Sequence, residues 1–232
     1  MTERFKREGI LIGESALFKL NGSRVAVIGL GGVGSWCAEA LARSGVGEIT
    51  LVDSDEYTMS NINRQLGALE STLGMPKSEV MAQRLRDINP EIRVNAVTAL
   101  FDADMIDSYD YVADCIDTVS AKIVLIETCL NKAIPVISSM GTGNKADAAM
   151  LEITDISKTK NDSLARVMRK ELRKRGINHL QVVYSPEDAL DADNTETPPP
   201  GRRSVPGSLV WVTASAGMLM AQHIVTELIQ ND

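Results

Sequence analysis

Histidine and cysteine are scarce in this chain: two and three, respectively, among 232 residues. Cys37, Cys115 and Cys129 are odd in number and unclustered, which excludes a disulfide framework and a four-cysteine zinc site. They read as small buried fillers. His179 and His223 each stand alone, with no second ligand at metal spacing. Aromatics make up only 4 %, so a base-stacking platform is not evident. Basic excess is lacking too: the net charge of −7 gives no global pull toward nucleic acid or anionic membrane, and any polynucleotide contact needs a local basic patch. Thr2-Glu3-Arg4-Phe5-Lys6-Arg7 is followed by no apolar signal-peptide core, so a cytoplasmic protein is expected. The one long apolar run, residues 209–225, is interrupted by Thr213, Ser215, Gln222 and His223. Those polar groups predict a buried helix and no stable membrane span, with peripheral contact left open.

What is present centres on Val25-Ala26-Val27-Ile28-Gly29-Leu30-Gly31-Gly32-Val33-Gly34. A short β-branched run followed by glycines and then by helix-period residues is a strand, a tight turn and a helix start. Backbone N–H groups and the positive helix end of such a turn face an anion, normally a phosphate. Glycine is needed where a side chain would block the turn or the phosphate's approach. Asp53 closes the next apolar run, 19 residues after Gly34, where an acceptor for ribose hydroxyls belongs. This stretch alone fits a dinucleotide as well as ATP.

Strand and helix patterns then alternate. Strands are expected over 24–28, 48–53, 92–97, 111–117 and 135–139, and helices over 10–20, 35–44, 105–109 and 119–131. A further helix opens at Met75-Pro76-Lys77 and runs to Asn89-Pro90. This predicts an α/β fold: a doubly wound, Rossmann-like, mostly parallel sheet. From 146 the pattern changes to a smaller mixed C-terminal extension. It comprises a strand with one wet face over 150–156, a basic helix over 162–175, a strand over 181–185, a long loop over 186–206 and a closing helix over 209–229.

In a parallel sheet, ligands lie outside the carboxyl ends of the strands. The glycine turn, Asp53 and Asp117 therefore share one rim. Arg64 and Lys77 above it bring two positive charges to a polyphosphate, and Asp117 offers a carboxylate to magnesium. That set suits attack at an α-phosphate with pyrophosphate leaving, the cations holding the departing charge. An oxidoreductase would leave residues 61–65 and Lys77 without a task. Asp117 could otherwise cap the helix starting near Val119.

Five motifs in register resemble the ubiquitin-activating-like (ThiF-type) adenylyltransferase superfamily across residues 4–145. They are Gly29-Leu30-Gly31-Gly32-Val33-Gly34, Val52-Asp53-Ser54-Asp55, Ser60-Asn61-Ile62-Asn63-Arg64-Gln65, Gly74-Met75-Pro76-Lys77 and Asp114-Cys115-Ile116-Asp117. Within it the chain is most similar to the tRNA threonylcarbamoyladenosine dehydratases, through Ser35-Trp36, Glu39-Ala40-Leu41-Ala42-Arg43-Ser44-Gly45 and Lys77-Ser78-Glu79-Val80-Met81-Ala82. The resemblance implies an ATP-binding adenylation region over 1–145, with 146–232 as the substrate-side extension and closing helix of the same domain. It implies that Gly31 and Gly32, in the turn with Gly29 and Gly34, offer N–H groups to the α-phosphate. Asp53, followed by Asp55 in the same motif, would bind the ribose. Asn61, Arg64 and Lys77 would hold phosphates and Asp117 would help position magnesium. Arg7 would reach into the ATP site of the partner in a symmetric homodimer.

The chain departs from sulfur-carrier-activating relatives, which have two Cys-x-x-Cys zinc pairs. It has no such pair and no cysteine after Cys129. This fits a dehydratase in which the substrate's own carbamoyl nitrogen attacks the adenylated threonyl group, so that proximity replaces a covalent enzyme intermediate. The alternative is an adenylyltransferase that activates the C-terminus of a ubiquitin-like sulfur carrier. A cysteine desulfurase system is a candidate partner of either. For tRNA, Lys158, Lys160, Arg166, Arg169, Lys170, Arg173, Lys174 and Arg175, with Arg202 and Arg203, supply a local cationic face.

Overall fold

Seven strands build one sheet in the computed structural model, which describes residues 3–191 and 205–230. They are β1 (Arg24–Ile28), β2 (Glu48–Val52), β3 (Arg93–Val97), β4 (Tyr111–Asp114), β5 (Val136–Ser139), β6 (Glu152–Asp155) and β7 (Gln181–Tyr184). Their spatial order is β3-β2-β1-β4-β5-β7-β6, and all neighbours run parallel except β6 and β7. The extension beyond residue 145 thus adds its strands to the same sheet.

The alternation of side chains along a strand decides which helix goes where. Val25 and Val27 of β1 point into one core with Leu20, Leu41, Leu85 and Met220. Ala26 and Ile28 point into the other, with Ile123, Ile126, Met168 and Leu172. So α1 (Lys6–Gly22), α2 (Gly34–Arg43), α3 (Lys77–Ile88) and α6 (Val210–Gln230) cover one face, while α4 (Val119–Asn131) and α5 (Ser163–Arg173) cover the other. A sheet buried on both faces needs near-continuous apolar strands, which β1, β2 and β4 supply. β6 at the edge is half-covered along its length, with Glu152 exposed and Ile153, Thr154 and Asp155 half-buried, instead of the alternation expected.

Several boundaries differ from the expected ones. α1 starts at Lys6 rather than 10 and breaks at Gly13, which takes φ 84°. The helix expected over 105–109 is replaced by a single 3-10 turn, Ala103–Met105, because the Asp102 carboxylate accepts the Asp104 N–H (3.0 Å) and caps it there. β4 ends at Asp114, so residues 115–117 leave the sheet as a loop above its carboxyl end.

The 209–225 run is a core helix. Val212, Thr213, Ala216, Gly217, Met220, Ala221 and Ile224 are buried, and among the described residues no helix is long and apolar enough to cross a membrane. Gly217 sets the distance to α2: a Cβ there would lie 2.4 Å from the Val33 carbonyl oxygen. In an open helix, Gly217→Ala would stabilise by up to about 1 kcal/mol. Here overpacking wins, and we expect a loss of roughly 1–3 kcal/mol in urea unfolding. Unchanged or higher stability would contradict so close a contact.

Candidate active site

The glycines of the turn divide by task. Gly29 has φ +91°, and a Cβ on it would stand 2.7 Å from the Cys115 carbonyl oxygen. A Cβ on Gly34 would stand 1.8 Å from the Gly29 carbonyl oxygen. These two let β1 turn sharply beside β4 into α2. Gly32 has α6 beside it, and a Cβ on it would stand 3.1 Å from Thr213 Cβ. Gly31 alone of the four opens onto free space, its nearest neighbour being Gln65 Nε2 at 4.0 Å.

The first turn of α2 holds the next motif against this opening. Ser35 Oγ donates to the Gly31 carbonyl (2.7 Å) and accepts the Leu66 N–H (3.2 Å). Trp36 Nε1 donates to the Arg64 carbonyl (3.3 Å). Asn63 Nδ2 donates to the Ser208 carbonyl (3.0 Å), tying the segment to the approach to α6. Asn61 is buried, and its carboxamide oxygen accepts the Thr58 N–H (3.1 Å), closing the 3-10 turn Met59–Asn61. The half-buried Arg64 guanidinium donates to the Ser60 carbonyl (2.7 Å) and Asn63 Oδ1 (2.9 Å), and burial pulls its pKa down from the usual value.

Asp53 stitches the rim together. Its Oδ2 accepts the Leu30 N–H (2.6 Å) of the glycine turn, and its Oδ1 accepts the Asp55 N–H (2.8 Å). Lys77 is the first residue of α3, its side chain 6 % exposed, and its ammonium meets the exposed Asp55 carboxylate at 2.9 Å. A cation at a helix N-terminus opposes the helix dipole, so α3's own stability does not account for it. It suits an anion arriving from outside.

Asp117 is exposed in the loop after β4, accepting from Thr118 Oγ1 (3.2 Å). Thr118, not Asp117, occupies the N-cap of α4. Arg7 sits in the exposed first turn of α1, and among the described residues no interaction joins it to the rim. The structure therefore gathers the glycine turn, Asp53, Asp55, Asn61, Arg64 and Lys77 through shared hydrogen bonds. Asp117 stands on the loop over the adjacent strand, and Arg7 stands apart. No group of three His, Cys, Asp or Glu side chains among the described residues could hold a metal ion.

Sequence reasoning missed what holds the Asp117 loop. Asp114 and Lys122 are fully buried, with Lys122 Nζ 3.0 Å from Asp114 Oδ2. Ser138 Oγ donates to the same oxygen (2.6 Å), the Ile116 N–H donates to Oδ1 (3.2 Å), and Lys122 Nζ also donates to the Ile116 carbonyl (3.0 Å). The loop is thus fastened from below at residue 116. The Asp-x-x-Asp spacing was visible, but a buried ion pair with a lysine on α4 has no local signature.

The basic region is only partly a free face. Lys158, Lys160, Arg166, Lys170 and Arg173 are exposed. Arg169 turns inward to the Thr159 carbonyl (3.0 Å) and the Ile156 carbonyl. Lys174 pairs with Glu171, and Arg175 with Glu171 and Glu127. Arg202 and Arg203 lie outside the described residues.

The ThiF family model matches residues 5–232. The chain is 42 % identical to the tRNA threonylcarbamoyladenosine dehydratase of Bacillus subtilis, over 100 % of this chain and 96 % of that protein. It is 39 % identical to the molybdopterin-synthase adenylyltransferase of Escherichia coli, but over only 51 % of this chain and 49 % of that one. The crystal structure of E. coli tRNA N6-threonylcarbamoyladenosine dehydratase in complex with AMP matches with a TM-score of 0.89 at 36 % identity, covering 98 % of this chain and 94 % of that chain. The same enzyme in complex with ATP matches with a TM-score of 0.88.

Removing one partner of a buried ion pair strands the other. Lys122→Met is expected to destabilise the fold by about 3–5 kcal/mol. The double change Lys122→Met with Asp114→Asn should recover part of that loss. If denaturant unfolding shows the single variant as stable as the parent, the pair does not fasten this loop.

Proposed function

The chain belongs to the ThiF family, and we infer that it is an ATP-dependent tRNA threonylcarbamoyladenosine dehydratase. One observation carries this reading. Similarity to the dehydratases runs the whole length of the chain, whereas similarity to the molybdopterin-synthase adenylyltransferase stops at about half. An enzyme of the same overall plan as the dehydratases is expected to match them along its full length, as this chain does.

In the reaction, a threonyl carboxylate oxygen attacks the α-phosphorus of ATP. The bond from that phosphorus to the β-bridging oxygen breaks, and pyrophosphate leaves. The carbamoyl nitrogen then attacks the acyl carbon and gives up its proton, the bond from that carbon to the AMP oxygen breaks, and a five-membered hydantoin closes as AMP leaves, with net loss of one water from the nucleoside. Because the second nucleophile is already part of the substrate, positioning supplies what a catalytic cysteine supplies elsewhere. Gly31, whose Cα side opens onto free space, and Gly32 offer N–H groups that suit the α-phosphate. Asp53, already braced by two backbone donors, keeps lone pairs for ribose hydroxyls. Arg64, Lys77 and the amide end of Asn61 face the β- and γ-phosphates, and Lys77 exchanges Asp55 for phosphate when ATP arrives. Magnesium typically takes one or two carboxylates plus substrate phosphates, which fits a single exposed Asp117. When bound, it would supply positive charge to the phosphates and the departing pyrophosphate.

A symmetric homodimer would carry Arg7 into the partner's site. Supporting it, Ile10, Leu11 and Phe18 on the same helix are 76 %, 87 % and 80 % exposed, a costly arrangement for a free surface. The exposed cations of α5 suit tRNA phosphates, and a tRNA substrate agrees with a cytoplasmic location. A cysteine desulfurase partner would need a receiving thiol, but Cys37 and Cys129 are buried and burial pushes the Cys129 thiol up to about 12. Cys115, half-buried, has its Sγ 3.7 Å from Met220 Sδ and is held well above the usual thiol range by its hydrogen bond with Cys37 and by burial. The reading therefore contains no persulfide step.

Two measurements test it. Incubation with ATP, magnesium and threonylcarbamoylated tRNA should yield AMP and a nucleoside lighter by one water. No mass change alongside an active control would end the assignment. Arg64→Ala and Lys77→Ala should each lose roughly 2–4 kcal/mol of transition-state stabilisation, with ATP binding weakened less than turnover. Full adenylation rates in both variants would refute the phosphate roles.

A further inference from the structure

Gln65 is 7 % exposed, yet among the described residues its carboxamide oxygen makes no hydrogen bond. Its Oε1 is buried without a partner, and its Nε2 is the group nearest the open side of Gly31, at 4.0 Å from where a Cβ would stand. Buried amides are almost always paired, because an unpaired one forfeits its hydration for nothing in return. Slack in the backbone does not explain the exception. The Gln65 N–H donates to the Asn61 carbonyl (3.0 Å), and its own carbonyl accepts the Ala68 N–H (3.1 Å). Its neighbours are clamped on both sides, Arg64 by Trp36 and Leu66 by Ser35. The first turn of α2, which shapes the glycine turn, also aims this amide at it. The orientation presents the donor end to the place where an anion binds.

We propose that Gln65 is a further catalytic residue: its Nε2 donates a hydrogen bond to a non-bridging oxygen of the α-phosphate lodged at Gly31. The proposal rests on the ATP reading of the site. As the carboxylate oxygen bonds to phosphorus and the bond to the β-bridging oxygen breaks, negative charge grows on the non-bridging oxygens. A preorganised neutral donor there stabilises the five-coordinate arrangement more than the bound ground state. No proton is transferred to or from Gln65. The amide stays neutral, and pyrophosphate leaves with the electron pair of the broken bond.

The same geometry predicts a stability signature that a scaffolding glutamine would not give. Gln65→Met keeps the length of the side chain and removes an unpaired buried amide, so the ligand-free variant should melt at or above the parent temperature. Its kcat for AMP formation should fall roughly 10- to 100-fold, while the KM for ATP moves by less than about threefold. Replacing one non-bridging α-oxygen by sulfur tests the contact at the atom concerned. With the two diastereomers of adenosine 5′-(α-thiotriphosphate), the parent should be slowed more by one than by the other, and that difference should collapse in Gln65→Met. Gln65→Glu, nearly isosteric but carrying an acceptor, should be slower still and provides a second folded variant. Sulfur effects identical to the parent's in both variants, or a lowered melting temperature with the difference between diastereomers intact, would overturn the proposal. A parent protein that forms no AMP from ATP and modified tRNA would instead refute the ATP reading itself.

Discussion

A methyl group on Gly34 would stand 1.8 Å from the Gly29 carbonyl, and one on Gly29 would stand 2.7 Å from that of Cys115. This crowding at the crossing of β1, β4 and α2 is what the rest of the rim is built upon. Because the three backbones come so close, α2 starts directly over the sheet, and its first two side chains reach the 61–66 segment. Ser35 and Trp36 then fix Arg64 and Leu66, and with them everything that points at Gly31. Asp53 ties the second strand to the same turn. The rim is therefore held by short polar links between elements whose spacing is set by the absence of side chains.

The charges around it obey a second rule. Lys77 faces its own helix's unfavourable end and is held by an exposed aspartate. Asp114 and Lys122, by contrast, are sealed from solvent and hold the Asp117 loop in place. Exposure separates the two pairs: 67 % for the Asp55 side chain against 0 % for Asp114.

Much of this was legible along the chain, and the exceptions share a cause. The mostly parallel sheet followed from alternating strand and helix patterns and glycine punctuation, which are local signals. The residues on the rim were named by the glycine spacing, the strand ends and the resemblance to the ThiF-type adenylyltransferases. The Gly13 break in α1, the inward turn of Arg169 and the buried Lys122 were not, since each depends on what packs against the residue. Gln65 was visible inside its motif, but its lack of a partner is a property of the folded neighbourhood. Asp102 defeated the expected 105–109 helix by offering the backbone a competing acceptor one turn earlier.

Thr213 presses against Gly32, and Gly217 against the start of α2, so the floor of the phosphate turn is completed by residues far downstream. During synthesis, the first five strands can leave the ribosome and pair before this last helix exists. Nascent protein in that interval has a glycine turn with one flank bare, which only the emergence of α6 covers.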